Sequence, residues 1–137
     1  MAVKQLSVFM ENKPGTLANL ANVLAEANVD LKAMTVADTK DFGIARMIVD
    51  DTEKALIALS SAGQTAKVRE VCGFKVPDQV GGLAKVLSLL GDNGISIEYM
   101  YAIVTSDSDM AHMIVRVDDN EAAEQLLKEN GIELLNI

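Results

Sequence analysis

The chain has 137 residues, of which 50% are hydrophobic and 23% are charged. This composition supplies enough apolar side chains for a packed core and excludes an intrinsically disordered chain. The formal net charge of -8 disfavours nucleic acid and membrane surfaces as partners, because phosphate backbones and anionic headgroups repel a negatively charged protein.

The cysteine content and the N-terminus bear on localisation. Cys72 is the only cysteine, so an internal disulfide is excluded, and no second Cys or group of His accompanies it to make a metal site. The N-terminal segment has the pattern of a strand and not of a secretion signal, and no apolar run is long enough to span a membrane. We expect a cytoplasmic protein with no metal ion and no cofactor.

The chain contains an internal repeat. Matching pairs are Gly15 and Gly81, Leu17 and Leu83, Met34 and Met100, and Met47 and Met113, each 66 positions apart. From Asp51 and Asp119 onward the distance is 68 positions, which indicates a two-residue insertion. A repeat of this length is typical of a complete small domain used twice, and it predicts domains at residues 1–69 and 70–137.

Each copy begins with a strand and an amphipathic helix. Apolar residues alternate in the strand and recur at spacings of three and four in the helix. In the first copy they are Leu6, Val8 and Met10, then Leu17, Leu20, Ala21 and Leu24; in the second they are Cys72, Phe74 and Val76, then Leu83, Val86, Leu87 and Leu90. Asn28 and Gly94 are expected to end these helices, because both tolerate the left-handed conformation of a helix C-cap.

Two strands, a second helix and a final short strand complete each copy. The two strands are predicted at 30–38 and 43–50, and at 95–105 and 110–117. Each second helix is predicted to open after an aspartate with a capping residue, Thr52 or Asn120, and to end at Gly63 or Gly131. The Asp-Asp pairs before these helices are interpreted as capping and dipole partners and not as metal ligands. The final strand of the first copy, at 65–69, leads directly into the first strand of the second, at 70–76.

The order strand, helix, strand, strand, helix, strand is that of the ferredoxin-like βαββαβ arrangement. The sequence therefore predicts an α+β fold of two tandem ferredoxin-like domains, each with helices on one face of an antiparallel sheet. The other face of each sheet is expected to be uncovered.

The connection from the first strand to the first helix is the candidate binding site of each copy. Glycine at this turn lets a ligand approach the backbone, and the following helix offers unpaired N–H groups and the positive end of its dipole to a carboxylate. Asn12 or Asp78 supplies an oxygen that can accept a hydrogen bond from an ammonium group, so the pattern favours an α-amino acid. The candidate residues are Glu11, Asn12, Lys13, Pro14, Gly15, Thr16 and Leu17 in the first copy, and Asp78, Gln79, Val80, Gly81, Gly82 and Leu83 in the second.

The alternative interpretation of these loops is structural, because Pro and Gly also make tight turns and cap helices where nothing binds. Gly82 lacks the hydroxyl of Thr16 and should weaken the start of its helix, so the two loops are not expected to bind alike. A helix N-terminus contributes ~1 kcal/mol to anion binding, whereas micromolar affinity requires ~8 kcal/mol. A ligand would therefore need a second wall, supplied by a partner domain.

Three other features are interpreted mainly as structural. His112, the only histidine, matches Arg46, and both are predicted on the sheet face away from the helices, with no catalytic role. Tyr99 and Tyr101 should project to the same side of a strand, where Tyr101 is a candidate for contacting a ligand or a partner subunit. Cys72 is predicted to lie in the core.

The chain resembles the ACT family of small-molecule regulatory domains in two segments of its first copy, Leu-Ser-Val-Phe-Met-Glu-Asn-Lys-Pro-Gly-Thr-Leu at 6–17 and Asn-Val-Asp-Leu at 28–31. Taken as two copies, the resemblance spans nearly the whole chain. It implies ferredoxin-like domains that bind amino acids or similar metabolites at the interface of paired domains, with contacts from the first strand-to-helix loop. The first copy is also similar to the start of the acetolactate synthase regulatory subunit, but the second half is another ACT-like copy and not that subunit's C-terminal domain.

These observations predict an amino-acid-binding protein of amino-acid metabolism that acts by allosteric regulation and not by catalysis. The sequence contains no phosphate-binding loop, metal-spaced His or Cys set or nucleophile motif. A homodimer is expected, because ferredoxin-like sheets leave strand edges and open faces that proteins usually pair. The alternative is a protein-interaction module without a ligand, or a regulatory partner of a separate metabolic enzyme.

Overall fold

The computed structural model describes residues 2–38 and 41–137, in which helices and strands follow the predicted order. The elements are β1 (Val3–Glu11), α1 (Thr16–Glu26), β2 (Leu31–Asp38), β3 (Phe42–Val49), α2 (Thr52–Ser61), β4 (Ala66–Pro77), α3 (Gly82–Asp92), β5 (Ile97–Ile103), β6 (Met110–Val117) and α4 (Asn120–Glu129). By their contacts these residues form two compact units, a first unit of Lys4–Arg69 and a second unit of Glu70–Ile137 with the start of β1.

The first unit has antiparallel strands covered on one face by two helices. Its strand order is β2-β3-β1, and Leu6 lies opposite Met47 in the register of β1 and β3. Side chains on the face toward α1 and α2 form one core, which consists of Leu6, Val8, Met10, Leu20, Leu24, Val29, Ala45, Met47, Val49, Ala55 and Leu59. The alternation predicted in β1 therefore points into this core, as do Leu20 and Leu24 of the predicted α1 stripe, whereas Leu17 is exposed.

The second unit repeats this arrangement with the strand order β4-β6-β5. Cys72 lies opposite Val115 in the register of β4 and β6. The core consists of Cys72, Phe74, Val76, Val86, Leu90, Met113, Val115, Val117, Ala123 and Leu127. Both units are ferredoxin-like and antiparallel, which confirms the predicted α+β fold class.

The closing strands of the two copies differ from each other. In the first copy the closing residues continue without a break into the second copy, so the strands predicted at 65–69 and 70–76 are one strand, β4. In the second copy the closing segment is reduced to an isolated antiparallel bridge between Leu134 and Phe74. Two backbone hydrogen bonds hold it, from Lys75 N–H to the Glu133 carbonyl and from Leu135 N–H to the Gly73 carbonyl, each 2.9 Å long.

The sheet face away from the helices is buried in part, so the expectation that it is uncovered is wrong at several positions. Ile48 and Ile114 point to this face, since their neighbours along β3 and β6 point into the cores, and they are 1% and 0% exposed. In the second unit, a Cβ at Gly73 would lie 2.9 Å from both Val3 and Leu135. The start of β1 and the C-terminal segment therefore pack against this face.

The helix ends follow the predicted positions. Asn28, Gly63, Gly94 and Gly131 follow the last turns of the four helices, and their φ angles lie between 58° and 77°. Asparagine and glycine are the residues that adopt this left-handed conformation most readily. The four predicted stop positions are confirmed.

The residues that cap α2 and α4 are aspartates of the two Asp-Asp pairs, which confirms their interpretation as capping partners, whereas the prediction of Thr52 and Asn120 as caps is wrong. Asp51 and Asp119 have extended backbones with φ of -133° and -138°. Their carboxylates accept hydrogen bonds from the backbone N–H groups three residues further on, at 3.0 and 3.1 Å. Thr52 and Asn120 are the first residues of α2 and α4. The capping position is therefore the residue before each of them, which is an aspartate.

Candidate functional site

The first candidate loop, residues 11–17, is a tight turn that runs directly into α1. Gly15 precedes the helix and has a φ of 86°, a conformation that favours glycine. Thr16 donates its N–H to the Lys13 carbonyl at 3.3 Å, and Asn12 donates its N–H to the Asp41 carbonyl at 3.1 Å. These hydrogen bonds close the turn and fix it against the start of β3.

The second candidate loop, residues 78–83, repeats this geometry at the start of α3. Gly81 has a φ of 82°. Gly82 donates its N–H to the Gln79 carbonyl at 3.0 Å, and Asp78 donates its N–H to the Asp109 carbonyl at 2.9 Å. Equivalent backbone hydrogen bonds therefore hold the turn in both units.

Helices α1 and α3 begin differently from α2 and α4. No side chain caps α1 or α3, and their first turns contain no acidic residue. By contrast, an aspartate caps each of α2 and α4, and Glu53 or Glu121 lies in the first turn. A carboxylate at a helix N-terminus binds free N–H groups and offsets the helix dipole. The positive ends of α1 and α3, at the two glycine turns, lack such a carboxylate.

The side chains of the first loop lie mostly in solvent. Asn12 is exposed, as are Lys13 and Glu11, whose charged groups approach to 2.6 Å. The Glu11 carboxylate, as hydrogen-bond partner and as opposite charge, raises the pKa of Lys13. Because Glu11 and Lys13 neutralise each other, the first turn presents little net side-chain charge to a ligand.

A cavity of about 840 Å³ opens beside the second loop. The predicted residues that line it are Gln79, Val80, Gly81 and Gly82. Asp78 and Leu83 do not line it, and Leu83 packs against the core of the second unit. The cavity volume lies within the range of roughly 300–1,000 Å³ that is typical of small-molecule sites.

The residues that α3 and the segment after α4 bring to this cavity were not among those predicted from the sequence. Lys85, Leu89 and Asp92 line it from one face of α3, and Glu133 lines it from the segment that follows α4. The helical spacing of Lys85, Leu89 and Asp92 was a usable signal, since residues three and four apart share a helix face. The position of Glu133 depends on the fold.

Gly82 has a steric role that its comparison with Thr16 did not reveal. A Cβ at Gly82 would overlap the carbonyl oxygen of Pro77. The missing side chain therefore lets the Pro77 carbonyl oxygen approach more closely than a Cβ would allow, and the interpretation of Gly82 as only a weaker helix start is incomplete.

Tyr101 lies apart from the second loop. It is opposite Ile114 in the register of β5 and β6, on the sheet face away from α3, and it does not line the cavity. Its ring stacks on that of Tyr99, with centroids 6.5 Å apart and an angle of 16° between the planes. The two tyrosines project to the same side, as predicted, and a contact of Tyr101 with a ligand or partner stays a prediction.

Two other chemically reactive side chains have structural roles: His112 contacts a carboxylate, and Cys72 lies in the core. His112 Nε2 lies 3.3 Å from the Asp107 carboxylate, and this hydrogen bond holds the pKa of Asp107 below its usual range. Cys72 is buried, and burial raises the pKa of its thiol to about 12. In the described parts of the chain, no three His, Cys, Asp or Glu residues are grouped so as to hold a metal ion, and no helix has the length and apolar character needed to cross a membrane.

A family match agrees with the duplicated fold and its paired glycine turns. Residues 1–136 match the family model of the ACT domain pair. The chain belongs to this family. The predicted resemblance, which spans nearly the whole chain as two copies, is thereby confirmed. ACT domain pairs are typical of ligand-sensing regulatory modules in amino-acid metabolism.

Solved structures similar to this ACT domain pair include regulatory proteins. A crystal structure of a Bacteroides thetaiotaomicron protein matches 98% of the chain and 92% of its own length, with 39% identity and a TM-score of 0.92. The ligand-free regulatory subunit of aspartate kinase from Thermus thermophilus matches 92% of the chain and 91% of its own length, with 21% identity and a TM-score of 0.66.

E. coli aspartokinase III in complex with lysine and aspartate matches 93% of the chain over 30% of its own length, with 18% identity and a TM-score of 0.54. This structure and that of the Thermus subunit establish a shared fold with the ACT domain pair. No curated protein is significantly similar to the chain.

Proposed function

We propose that this ACT domain pair binds an amino acid at its glycine turns and acts as a regulatory module without catalytic activity of its own. The observation that carries the proposal is the contrast between the helices. Helices α2 and α4 begin with their own carboxylates, whereas α1 and α3 begin at the glycine turns without any. A ligand carboxylate would supply the missing anion.

The chemistry of an α-amino acid fits these turns. Its carboxylate would accept hydrogen bonds from the first free N–H groups of α1 or α3. Its ammonium group would donate to the side-chain oxygen of Asn12 or Asp78, each of which lies on the same loop and is exposed. Gly15 and Gly81 have positive φ angles, and because glycine has no side chain, a ligand can approach the backbone closely at these positions.

A second wall is needed for useful affinity. One helix N-terminus contributes ~1 kcal/mol to the free energy of binding an anion, whereas a complex with micromolar Kd requires a binding free energy of ~8 kcal/mol. We propose that an ACT unit of a second copy of the chain supplies this wall, which makes the protein a homodimer. The structural neighbours support a regulatory role, since one is named as the regulatory subunit of aspartate kinase and another was crystallised with lysine and aspartate. A metabolic enzyme is accordingly the proposed target of regulation.

The first experiment is a thermal-shift screen of the full chain against the twenty amino acids, followed by calorimetric titration of those that act. A ligand that binds the native state alone stabilises it by ~2.7 kcal/mol at a hundredfold excess over Kd. A selective, saturable rise in Tm is the expected result. The absence of any rise at millimolar concentration would contradict amino-acid binding.

A pair of substitutions tests the turns themselves. Ala18 and Ala84 are exposed in the first turns of α1 and α3, so Ala18→Glu and Ala84→Glu place a carboxylate where the ligand carboxylate would bind. We expect each Glu variant to be more stable by about 0.3–1 kcal/mol, because the new charge complements the helix dipole. The Glu variant at the turn that holds the ligand should also bind the amino acid at least tenfold more weakly than the parent protein does.

The matched controls are Ala18→Gln and Ala84→Gln, which add similar bulk without charge and should retain most of the binding. If all four variants bind the amino acid as the parent does, the glycine turns are not the site.

The rival function is a protein-interaction module without a ligand. Its specific support is the exposure of two large apolar side chains near the first loop, Phe9 at 68% and Phe42 at 53%. Exposed apolar side chains of this size often mark protein contacts. This function predicts no Tm change with any amino acid, and it predicts that a partner enzyme responds equally to the parent and to Ala84→Glu.

A further inference from the structure

The cavity of the second unit has an uneven distribution of charge. Its charged lining residues are Lys75, Lys85, Asp92 and Glu133. Lys75 Nζ lies 3.4 Å from Glu133 Oε2, so these two charges compensate each other. Within the described residues Lys85 forms no ion pair, because the salt bridges found there engage other residues.

Lys85 lies one turn into α3, close to the glycine turn. Its backbone N–H donates to the Gly81 carbonyl at 3.1 Å, which is the first hydrogen bond of the helix. The loop end of the cavity therefore combines the positive end of α3 with an uncompensated ammonium group. Asp92 is seven residues further along α3, about 10 Å along the helix axis, and salt weakens its interaction with Lys85 over that distance.

The first unit lacks this combination. Asn19 occupies the position that matches Lys85, and Phe9 occupies the position that matches Lys75. The two turns thus share the backbone that would hold an α-carboxylate and differ in the charge beside it. A ligand with a second anionic group would meet an ammonium group at position 85 of the second unit and an uncharged amide at the matching position 19 of the first.

We infer that the cavity of the second unit prefers an amino acid with an anionic side chain, and that Lys85 is the residue that determines this preference. The inference rests on the proposed function, because it assumes that the α-carboxylate occupies the start of α3. The side-chain carboxylate then pairs with the Lys85 ammonium, and the amides of the same amino acids lack this charge pairing. Lys75 is held by Glu133 and serves as a wall of the cavity.

Calorimetric titration of the full chain with L-aspartate, L-asparagine, L-glutamate and L-glutamine tests the preference. We expect at least one acid to bind about tenfold more tightly than its amide, which is the effect of one hydrogen bond to a charged group. The advantage should shrink as salt is raised from 50 to 500 mM, since an exposed ammonium group is screened.

Three variants isolate Lys85. Lys85→Asn, which copies the first unit, should bring the acid-to-amide ratio close to one while leaving amide binding nearly unchanged. Lys85→Arg keeps the charge and should keep most of the ratio. Asn19→Lys, the converse variant in the first unit, keeps Lys85 and should not lower the acid-to-amide ratio.

The outcomes separate this inference from the proposed function. Amides that bind as tightly as the acids, or an acid preference that survives in Lys85→Asn, would overturn the role of Lys85 and leave amino-acid binding standing. Failure of all twenty amino acids to bind would overturn both.

Discussion

Two glycines of α3 have opposite roles. Gly82 begins the helix where a Cβ would overlap the Pro77 carbonyl oxygen, whereas Gly91 lies in the last turn with no heavy atom within 4 Å of such a Cβ. Glycine otherwise weakens a helix relative to alanine, because it loses more backbone freedom on folding. Packing therefore requires the first glycine and not the second.

Alanine at these two positions should have effects of opposite sign. We expect Gly82→Ala to lower the free energy of unfolding by about 1–3 kcal/mol through overpacking. Gly91→Ala, the control in the same helix, should raise it by about 0.5 kcal/mol. Urea denaturation followed by circular dichroism measures both. A Gly82→Ala variant as stable as the parent would contradict the close approach of the Pro77 carbonyl.

Cys72 should be unreactive in the native protein and should make stability depend on pH. Burial raises the pKa of its thiol to about 12, and the nearby charge of Glu124 acts in the same direction. In the unfolded chain the thiol ionises near pH 8.5. The stability that comes from keeping the buried thiol protonated is therefore fully present below that pH and is lost as pH rises toward the folded-state pKa of about 12.

Thiol labelling at pH 8 should accordingly be negligible until denaturant unfolds the chain. Between pH 8.5 and 10.5 the free energy of unfolding of the parent should fall more steeply than that of Cys72→Ala, which has no thiol to ionise. Parallel pH profiles, or fast labelling of the native protein, would show that the thiol is accessible.

At the scale of elements, the four helices begin in two different ways. Helices α2 and α4 carry their own N-terminal carboxylates, Asp51 and Asp119, and are complete without a ligand. Helices α1 and α3 follow glycine turns without a side-chain cap. Since capping contributes to stability, the absence of caps at both equivalent turns leaves backbone N–H groups at which, we propose, a ligand carboxylate binds.

Substitutions at the caps test this division. Asp51→Ala and Asp119→Ala should each lower the free energy of unfolding by about 1 kcal/mol, while Asp51→Asn and Asp119→Asn should have little effect because asparagine also accepts the capping hydrogen bond. Denaturation with guanidinium chloride measures the differences. If Thr52→Ala were as costly as Asp51→Ala, the hydroxyl would be the cap instead.

The strand β4 crosses the predicted boundary between the two copies. It runs unbroken over Ala66–Pro77, whereas we propose domains at 1–69 and 70–137. Paired backbone resists proteases, and exposed loops do not. Limited trypsin digestion followed by mass spectrometry should therefore give little early cleavage after Lys67 or Arg69. Rapid cleavage there would indicate a flexible linker between the copies.

At the scale of the whole molecule, the expected assembly is a homodimer. The strands β2 and β5 stand at the ends of the strand order, and such edges are commonly paired or protected. Size-exclusion chromatography with light scattering should give twice the chain mass of 14.7 kDa at micromolar concentration. A single 14.7 kDa species at all concentrations would contradict both the dimer and the second wall of the ligand site.

Several features of this ACT domain pair were readable from the sequence because they depend on local spacing. The match between Gly15 and Gly81 indicated two copies of one domain. Apolar residues at every second position located the strands, and apolar residues three and four positions apart located the helices. Asn28 and Gly94 ended their helices as expected, since the left-handed conformation is a property of the residue itself. The glycine turns before α1 and α3 followed from the same local rules.

Tertiary structure decided what depends on residues distant in sequence or on exact backbone angles. Asp51 and Thr52 are both good caps, and only the backbone conformation selects the aspartate. Glu133 meets Lys75 because the segment after α4 returns beside β4, which leaves Lys85 as the uncompensated cation of the cavity. Local chemistry located the two glycine turns, whereas the charges of the cavity beside the second turn were set by chain segments that only folding brings together.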